Sequence, residues 1–246
     1  MMELLAPAGS FDALCAAVGS GADAVYIGGR EFSARRGALN FTIEEIEKAA
    51  RYCHLRGVRL HVAANILIKE KEKERFLEYI GKLNKIGVDA VIIQDIGMAS
   101  IVHKIYPDLP LHASTQMTVT SLSAAKKLRD AGFSRVVLAR ELSKEAIQII
   151  SCESGVETEV FVHGALCMSY SGQCLMSSII GARSGNRGMC AQPCRLPYTL
   201  NGKKGHLLSP KDLCMIKRLP ELLKIGVTSL KIEGRLKRCE YVSTVC

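Results

Sequence analysis

An eightfold recurrence governs how this chain of 246 residues can fold. A short apolar or β-branched run returns at ELLAP (from residue 3), DAVYIG (23), RLHVAAN (59), DAVIIQD (89), LHAST (111), RVVLARE (135), TEVFVHG (158) and SLKIEGR (229). Helical patterns lie between most copies. TIEEIEKAARYCHLRG opens with Thr42 as an N-cap, carries Glu44 and Glu45 in its first turn, where they face the positive end of the helix dipole, and stops at Gly57. KEKERFLEYIGKLNKIG likewise ends on a glycine. Strands apolar through their middle and alternating with helices indicate parallel βαβ units, because a parallel sheet is covered on both faces. Eight such units predict an α/β chain folded as one (β/α)8, TIM-barrel-like domain over residues 1–246. A doubly wound open sheet is the alternative, since periodicity does not say whether the sheet closes.

Two irregularities break the repeat. About 65 residues separate the seventh run from the eighth, where a βα connection normally takes far fewer. The excess begins with a Cys-rich insertion, residues 164–210, leaving the C-terminal end of the seventh strand, which in a barrel is the catalytic face. The other irregularity is KRCEYVSTVC at the end, which allows only the start of a closing helix, so the C-terminal region reads as truncated.

Polar residues stand at the C-terminal ends of the predicted strands: Asn65, Gln94 with Asp95, His112 with Ser114 and Gln116, Glu141, His163, and Glu233 with Arg235. A barrel active site draws its groups from several strand ends in this way. His112 and His163 are the candidates for proton transfer, because imidazole titrates near neutral pH, with Glu141 beside them. Glu233 and Arg235 share one side of a strand and can form an ion pair or hold an anionic substrate.

The insertion contains CMSYSGQCLMSSIIGARSGNRGMCAQPC, four of the ten cysteines in a C-x6-C-x15-C-x3-C pattern: Cys167, Cys174, Cys190 and Cys194. Zinc sites usually pair ligands as C-x2-C or C-x4-C knuckles, which are missing here. Iron-sulfur clusters also take four thiolates and tolerate irregular spacing. Cluster, zinc and unligated thiols all remain open on spacing, and Cys214 could replace one of the four. There is no secretory leader and no apolar run near the roughly 18 residues needed to span a bilayer, so a soluble cytoplasmic protein without membrane attachment is expected. Cysteines in a reducing compartment suit metal binding or packing better than disulfides.

The net charge of +9 is concentrated in the same region. Residues 1–163 carry 20 Lys and Arg against 20 Asp and Glu, whereas residues 164–246 carry 13 against 4. Such a surface attracts an anionic substrate or a phosphate backbone, or is simply a solvated basic face. Arg183, Arg187 and Arg195 are the candidate anion-binding residues of the loop. No H-E-x-x-H helix, G-x-S-x-G elbow, P-loop or G-x-G-x-x-G fingerprint is present, which removes the usual support for zinc-protease, α/β-hydrolase, nucleotide-hydrolase and nicotinamide chemistry.

The segment EVFVHGALCMSYSGQCLMSS (159–178), together with ELLAPAGS, DAVYIGG, HASTQM, GNRGMCAQPCR, LLSPKDLC and SLKIEGRLK, resembles peptidase family U-32, the collagenase-like proteases, over essentially the whole chain. The resemblance implies a TIM-barrel-like catalytic domain, often followed by a C-terminal extension. It also implies an iron-sulfur (4Fe-4S) cluster on Cys167, Cys174, Cys190 and Cys194, the last being the ligand that varies among relatives. Two activities are associated with such proteins: proteolysis, for which a thiolate paired with His163 would be needed, and oxygen-independent hydroxylation of a tRNA wobble uridine, an rRNA cytidine or a ubiquinone precursor, with prephenate as oxygen donor for the RNA-directed members. The thiol set and the basic C-terminal third favour RNA hydroxylation; a zinc-stabilised, non-enzymatic scaffold subunit is the remaining alternative. Asn65, Gln94, Gln116, Arg183, Arg187, Arg195, Glu233 and Arg235 are then the expected substrate-binding residues, and His112, Glu141 and His163 the catalytic ones. Stacking capacity is limited to Tyr170 and Tyr198 near the loop, since the chain has no Trp.

Overall fold

A computed structural model describes residues 2–35 and 37–246. Seven consecutive parallel strands each lead into a crossover: β1 (Glu3–Pro7), β2 (Ala24–Gly28), β3 (Arg59–Ala64), β4 (Ala90–Ile93), β5 (Leu111–Ala113), β6 (Arg135–Val137) and β7 (Glu157–Gly164). The first six crossovers are α1 (Phe11–Gly19), α2 (Ile43–His54), α3 (Lys73–Ile86), α4 (Ile96–Ile105), α5 (Leu122–Asp130) and α6 (Lys144–Glu153). After β7 come α7 (Met176–Gly181), the hairpin β8 (Tyr198–Leu200) and β9 (Lys203–Gly205), then β10 (Leu213–Cys214) and α8 (Leu219–Lys224). The eighth barrel strand is β11 (Ser229–Ile232), and α9 (Cys239–Val245) packs on α1. Parallel pairing of β11 with both β7 and β1 closes the sheet, which decides against the open alternative. All eight sequence runs are barrel strands.

The helix boundaries follow the local chemistry. Thr42 Oγ1 accepts from the Glu45 N–H at 3.2 Å, while the Glu45 carboxylate accepts from the Thr42 N–H at 2.7 Å, a complete capping box. The helix ends at His54, and α3 ends at Gly87, whose φ of 79° is open to glycine without steric cost. Leu14, Ile46, Phe76, Ile80 and Leu83 on the inner helix faces are fully buried against outward-facing strand residues such as Val25, Leu60 and Val91. Each side chain of this size contributes about 1.5–3 kcal/mol by leaving water.

Inside the barrel, strand alternation sorts side chains into three tiers. The floor, at the N-terminal ends, is ionic. Arg135 donates to Glu3, to Glu159 at 3.3 Å and to Glu157 at 2.7 Å; Lys231 Nζ donates to Glu159 at 2.7 Å; Arg59 pairs with Glu3 at 2.5 Å. Burial pushes the Glu159 carboxyl up, but Lys231 and Arg135 outweigh it and hold it below the usual range. Above the floor lies an apolar tier of Leu5, Ala24, Tyr26, Ala63 and Ile92. Glu233, just beyond β11, and Asn65, just beyond β3, open onto the third tier, the mouth.

Candidate functional site at the barrel mouth

Short polar side chains line part of the mouth. Asn65 Oδ1 accepts from the Ala34 N–H at 3.1 Å, and its Nδ2 donates to Ser114 Oγ at 3.3 Å, which in turn accepts from the Gln116 N–H at 3.2 Å. Gln94 and Gln116 are buried, and the side-chain oxygen of each has no hydrogen-bond partner among the described residues. An unsatisfied buried amide oxygen costs about 1–3 kcal/mol, so two at one mouth mark a place where a donor from a ligand or water fits. Asp95 has a structural task instead: it caps α4 by accepting from the Met98 N–H at 3.0 Å and ties in Ile68 at 3.1 Å.

Next to these lies a cluster of cations that the strand-end reading found only in part. Arg35, from the β2–α2 loop, pairs with Glu233 at 3.3 Å, and Arg235 Nη1 donates to Ser33 Oγ at 2.9 Å. Glycine at position 28 leaves room for this packing, because a Cβ there would force the Arg235 guanidinium and Ser33 Oγ to move aside. Burial, followed by the like charge of Arg35, pushes Arg235 down to about 10. Burial pushes the Glu233 carboxyl up, but Arg35, Arg140, Arg235 and Lys231 together hold it below the usual carboxylate range. Arg140 lies over the Phe161 ring at 5.3 Å and donates to Ala165 O at 3.3 Å. Arg35 escapes the strand-end pattern because it stands in a loop, and Arg140, which directly follows the apolar run Val136–Ala139, because Glu141 beside it is the more obvious catalytic group.

A cavity of about 560 Å³ opens beside this cluster, lined by Arg140, Glu141, Cys167, Met168, Tyr170 and Pro210 among others. Glu141 is fixed in its wall by Ser171, whose N–H and Oγ each donate to the carboxylate at 3.3 Å. Tyr170 is two-thirds exposed at the rim.

Four sequence expectations need correction. His112 is not at the mouth: the register sets it level with Arg135, the first residue of β6, and its ring meets His61 edge-on at 4.8 Å. Burial and then the neighbouring His61 drive its imidazole well below the ordinary range. His163, by contrast, stands at the end of β7 as expected; an irregularity between Lys231 and Ile232 sets it level with Ile232, and its ring packs 5.9 Å from Tyr241 of α9. Arg187 and Arg195 are not free to bind anions. The first forms a two-pronged contact with Glu72 at 2.8 and 3.1 Å and also donates to Leu67 O, binding the insertion to the start of α3. The second donates to Ser209 Oγ at 2.8 Å, Pro210 O at 2.5 Å and Leu166 O at 2.8 Å, a strut across the insertion. Arg183 is exposed, with its Nε on Met189 O at 3.1 Å. The insertion also runs past residue 210: it rejoins the wall only where β10 pairs antiparallel with the end of β7.

The cysteines of the insertion sit above the mouth. Burial raises the Cys194 thiol, and Cys167 and Cys190 lie close enough to push it the same way against the pull of Arg195. Cys190 Sγ accepts from the Gln192 N–H at 3.4 Å and from Ser177 Oγ at 3.8 Å. Gly185 lies against Cys174 O and the Cys190 Cβ, so the second and third cysteines of the pattern are also neighbours. Among the described residues no three His, Cys, Asp or Glu side chains are drawn into a closed metal-ligand set. The donor chemistry nevertheless fits an iron-sulfur cluster: four soft thiols stand on one insertion, and a backbone N–H already points at one sulfur, the kind of hydrogen bond that tunes a cluster. Among the described residues no helix is long and apolar enough to cross a membrane.

Comparison with known proteins adds three similarities. The 23S rRNA 5-hydroxycytidine C2501 synthase of Escherichia coli (strain K12) is 42% identical over 99% of this chain and 38% of its own length. The tRNA hydroxylation protein P1 of Bacillus subtilis (strain 168) is 38% identical over 99% of this chain and 61% of its own length. The chain thus spans less than two thirds of either relative. Among solved structures, the U32 peptidase Mk0906 superposes with a TM-score of 0.64 at 13% identity, covering 94% of this chain and 92% of that one, a likeness of fold. The family model for peptidase family U32 matches residues 9–246, and the chain belongs to that family.

Proposed function

We propose that this chain forms the catalytic core of an enzyme that hydroxylates a pyrimidine base of RNA without dioxygen, using an iron-sulfur cluster and a small anionic oxygen donor such as prephenate. The observation that carries this reading is a cavity of about 560 Å³, a size that takes one unstacked nucleotide, whose wall brings Cys167 of the insertion together with Arg140, Glu141 and Tyr170. The names of the tRNA- and rRNA-hydroxylating relatives support RNA as substrate. Cys167, Cys174, Cys190 and Cys194 would hold the cluster, which when bound supplies electron transfer or Lewis acidity.

The protein's own groups divide the remaining work. Arg35, Arg235 and Arg140 together exceed the charge of Glu233 and favour a carboxylate donor at the mouth. Gln94 and Gln116 offer free amide oxygens to a base or donor hydroxyl. Tyr170 can stack on the base at the rim, and Glu141, oriented by Ser171, is placed to take up the proton released when a ring C–H becomes C–OH. In such an exchange the donor gives up a hydroxyl and is reduced by two electrons as the base is oxidised by two.

Mass spectrometry of nucleosides from RNA of a deletion strain tests the reading. The expected result is loss of one pyrimidine that is heavier by a single oxygen, restored by the wild-type gene and not by a Cys190→Ser allele. An unchanged profile would remove RNA hydroxylation as the function. Gelatin cleavage that persists after the iron is removed would favour a peptidase, and stoichiometric zinc without iron in anaerobically purified protein would favour a scaffold.

A further inference from the structure

The positive charge of the last third is unevenly employed. Arg187, Arg195 and Lys231 are consumed by internal contacts, and Arg235 belongs to the mouth, where it holds Ser33. Lys203, Lys204 and Lys211 are exposed, and among the described residues none has an ion-pair partner. A merely solvated basic face normally mixes in acids, yet residues 164 to 211 contain no Asp or Glu. The first acid beyond this stretch is Asp212, next to Lys211, so the ribbon itself carries no counter-charge and a phosphate backbone is its complementary partner.

Geometry places this charge beside the candidate site. Lys203 and Lys204 lie on β9, paired with Leu200 and Thr199 of β8 in a two-stranded ribbon that turns at Asn201 and Gly202, both with positive φ. As neighbours on one strand they face opposite sides of the ribbon. The ribbon is held at both ends. Tyr198 donates to Pro193 O at 2.9 Å, and His206 Nδ1 lies 3.0 Å from Arg195 O. Arg195 in turn holds Pro210 and Leu166, which line the cavity of Glu141 and Tyr170.

We propose that the β8–β9 ribbon is a phosphate-backbone grip. Lys203 and Lys204 each bind a phosphate, one from either side of the ribbon, as a single-stranded stretch of RNA passes across it, and the link through Arg195 sets that strand so that one nucleotide reaches the cavity. The inference rests on the RNA reading above and adds the surface that holds the strand.

The test is the salt dependence of binding of the full chain to a fluorescein-labelled synthetic RNA stem-loop. Removing two phosphate contacts should make the slope of log K against log salt shallower by about 1.4, at roughly 0.7 per phosphate of a single strand, and weaken binding roughly tenfold near 0.1 M salt. K203A/K204A is expected to show this, K203E/K204E a larger loss, and K203R/K204R a wild-type slope, with thermal melting unchanged in all three. If wild type binds the stem-loop with a steep slope and K203A/K204A is identical to it, the ribbon is not the grip although the RNA reading survives. If wild type fails to bind RNA at all, both fall. Displacement of the RNA by poly-glutamate at equal charge concentration would assign the ribbon to an acidic protein and overturn the inference.

Discussion

The floor and the mouth of this barrel are both clusters of charge enclosed by the same eight strands, but they are balanced differently. On the floor Glu3, Glu157 and Glu159 meet Arg59, Arg135 and Lys231, three acids against three bases, joined by direct contacts. At the mouth Arg35, Arg140 and Arg235 share Glu233, and burial, followed by the like charge of Arg35, lowers Arg235. A buried ion cluster tolerates desolvation when every charge is compensated within it. The charges of the floor are therefore matched as folded, although Nδ1 of His61 and of His112 has no hydrogen-bond partner among the described residues, whereas the mouth gains from an anion it does not itself contain.

Breaking the floor should have the largest effect. Arg135→Met leaves Glu3 and Glu159 without their central partner and should cost about 3–5 kcal/mol in urea unfolding. The two histidines of the floor sharpen the contrast through pH. Folded His61 sits at about 3 and His112 is well below its ordinary range, so the unfolded chain binds protons that the folded chain refuses. Stability should thus fall as pH drops below about 6.5, by about 2.7 kcal/mol per pH unit for two sites, levelling off only near the folded values. Unfolding curves between pH 7 and pH 5 measure this, and H61F/H112F should flatten them. Glu159 and Glu233, held below their unfolded values, lose their contributions only at lower pH, as it falls through the folded carboxylate range.

The mouth should respond to ligand rather than to dissection. A dicarboxylate such as prephenate at 100 times its Kd should stabilise wild type by up to about 2.7 kcal/mol in thermal melts. Arg35→Gln should abolish that gain at little cost to the unliganded protein, because it also relieves Arg235. The smallest effect is expected at the tether between the regions: Arg187→Gln removes the contact with Glu72 and should cost about 1.5 kcal/mol, with faster amide exchange confined to the insertion.

Much of this architecture was legible in the residues. The eight strands, the Thr42 cap, the glycine stops and the point where the insertion leaves β7 all follow from local patterns of period two and 3.6, which the barrel does not override. The candidate site was only partly legible. Gln94, Gln116, Glu141, Glu233 and Arg235 do gather at the mouth, since a polar residue just past an apolar strand projects where the strands converge. His112 was misplaced because LHAST does not reveal where the barrel register begins, whereas His163 stands at the end of its strand as expected, with an irregularity in β11 deciding what lies beside it.

The sequence by itself determined the βαβ repeat, the concentration of cysteines and positive charge after the seventh strand, and the family, because these depend on residue order and spacing alone. Only the tertiary structure decided that the sheet closes, which cations are spent internally and which remain exposed, and that Arg35 and Arg140 belong to the mouth. Those outcomes depend on contacts between residues far apart in the chain, such as Arg187 with Glu72 and Arg35 with Glu233, whose energies exist only once the barrel brings the partners together.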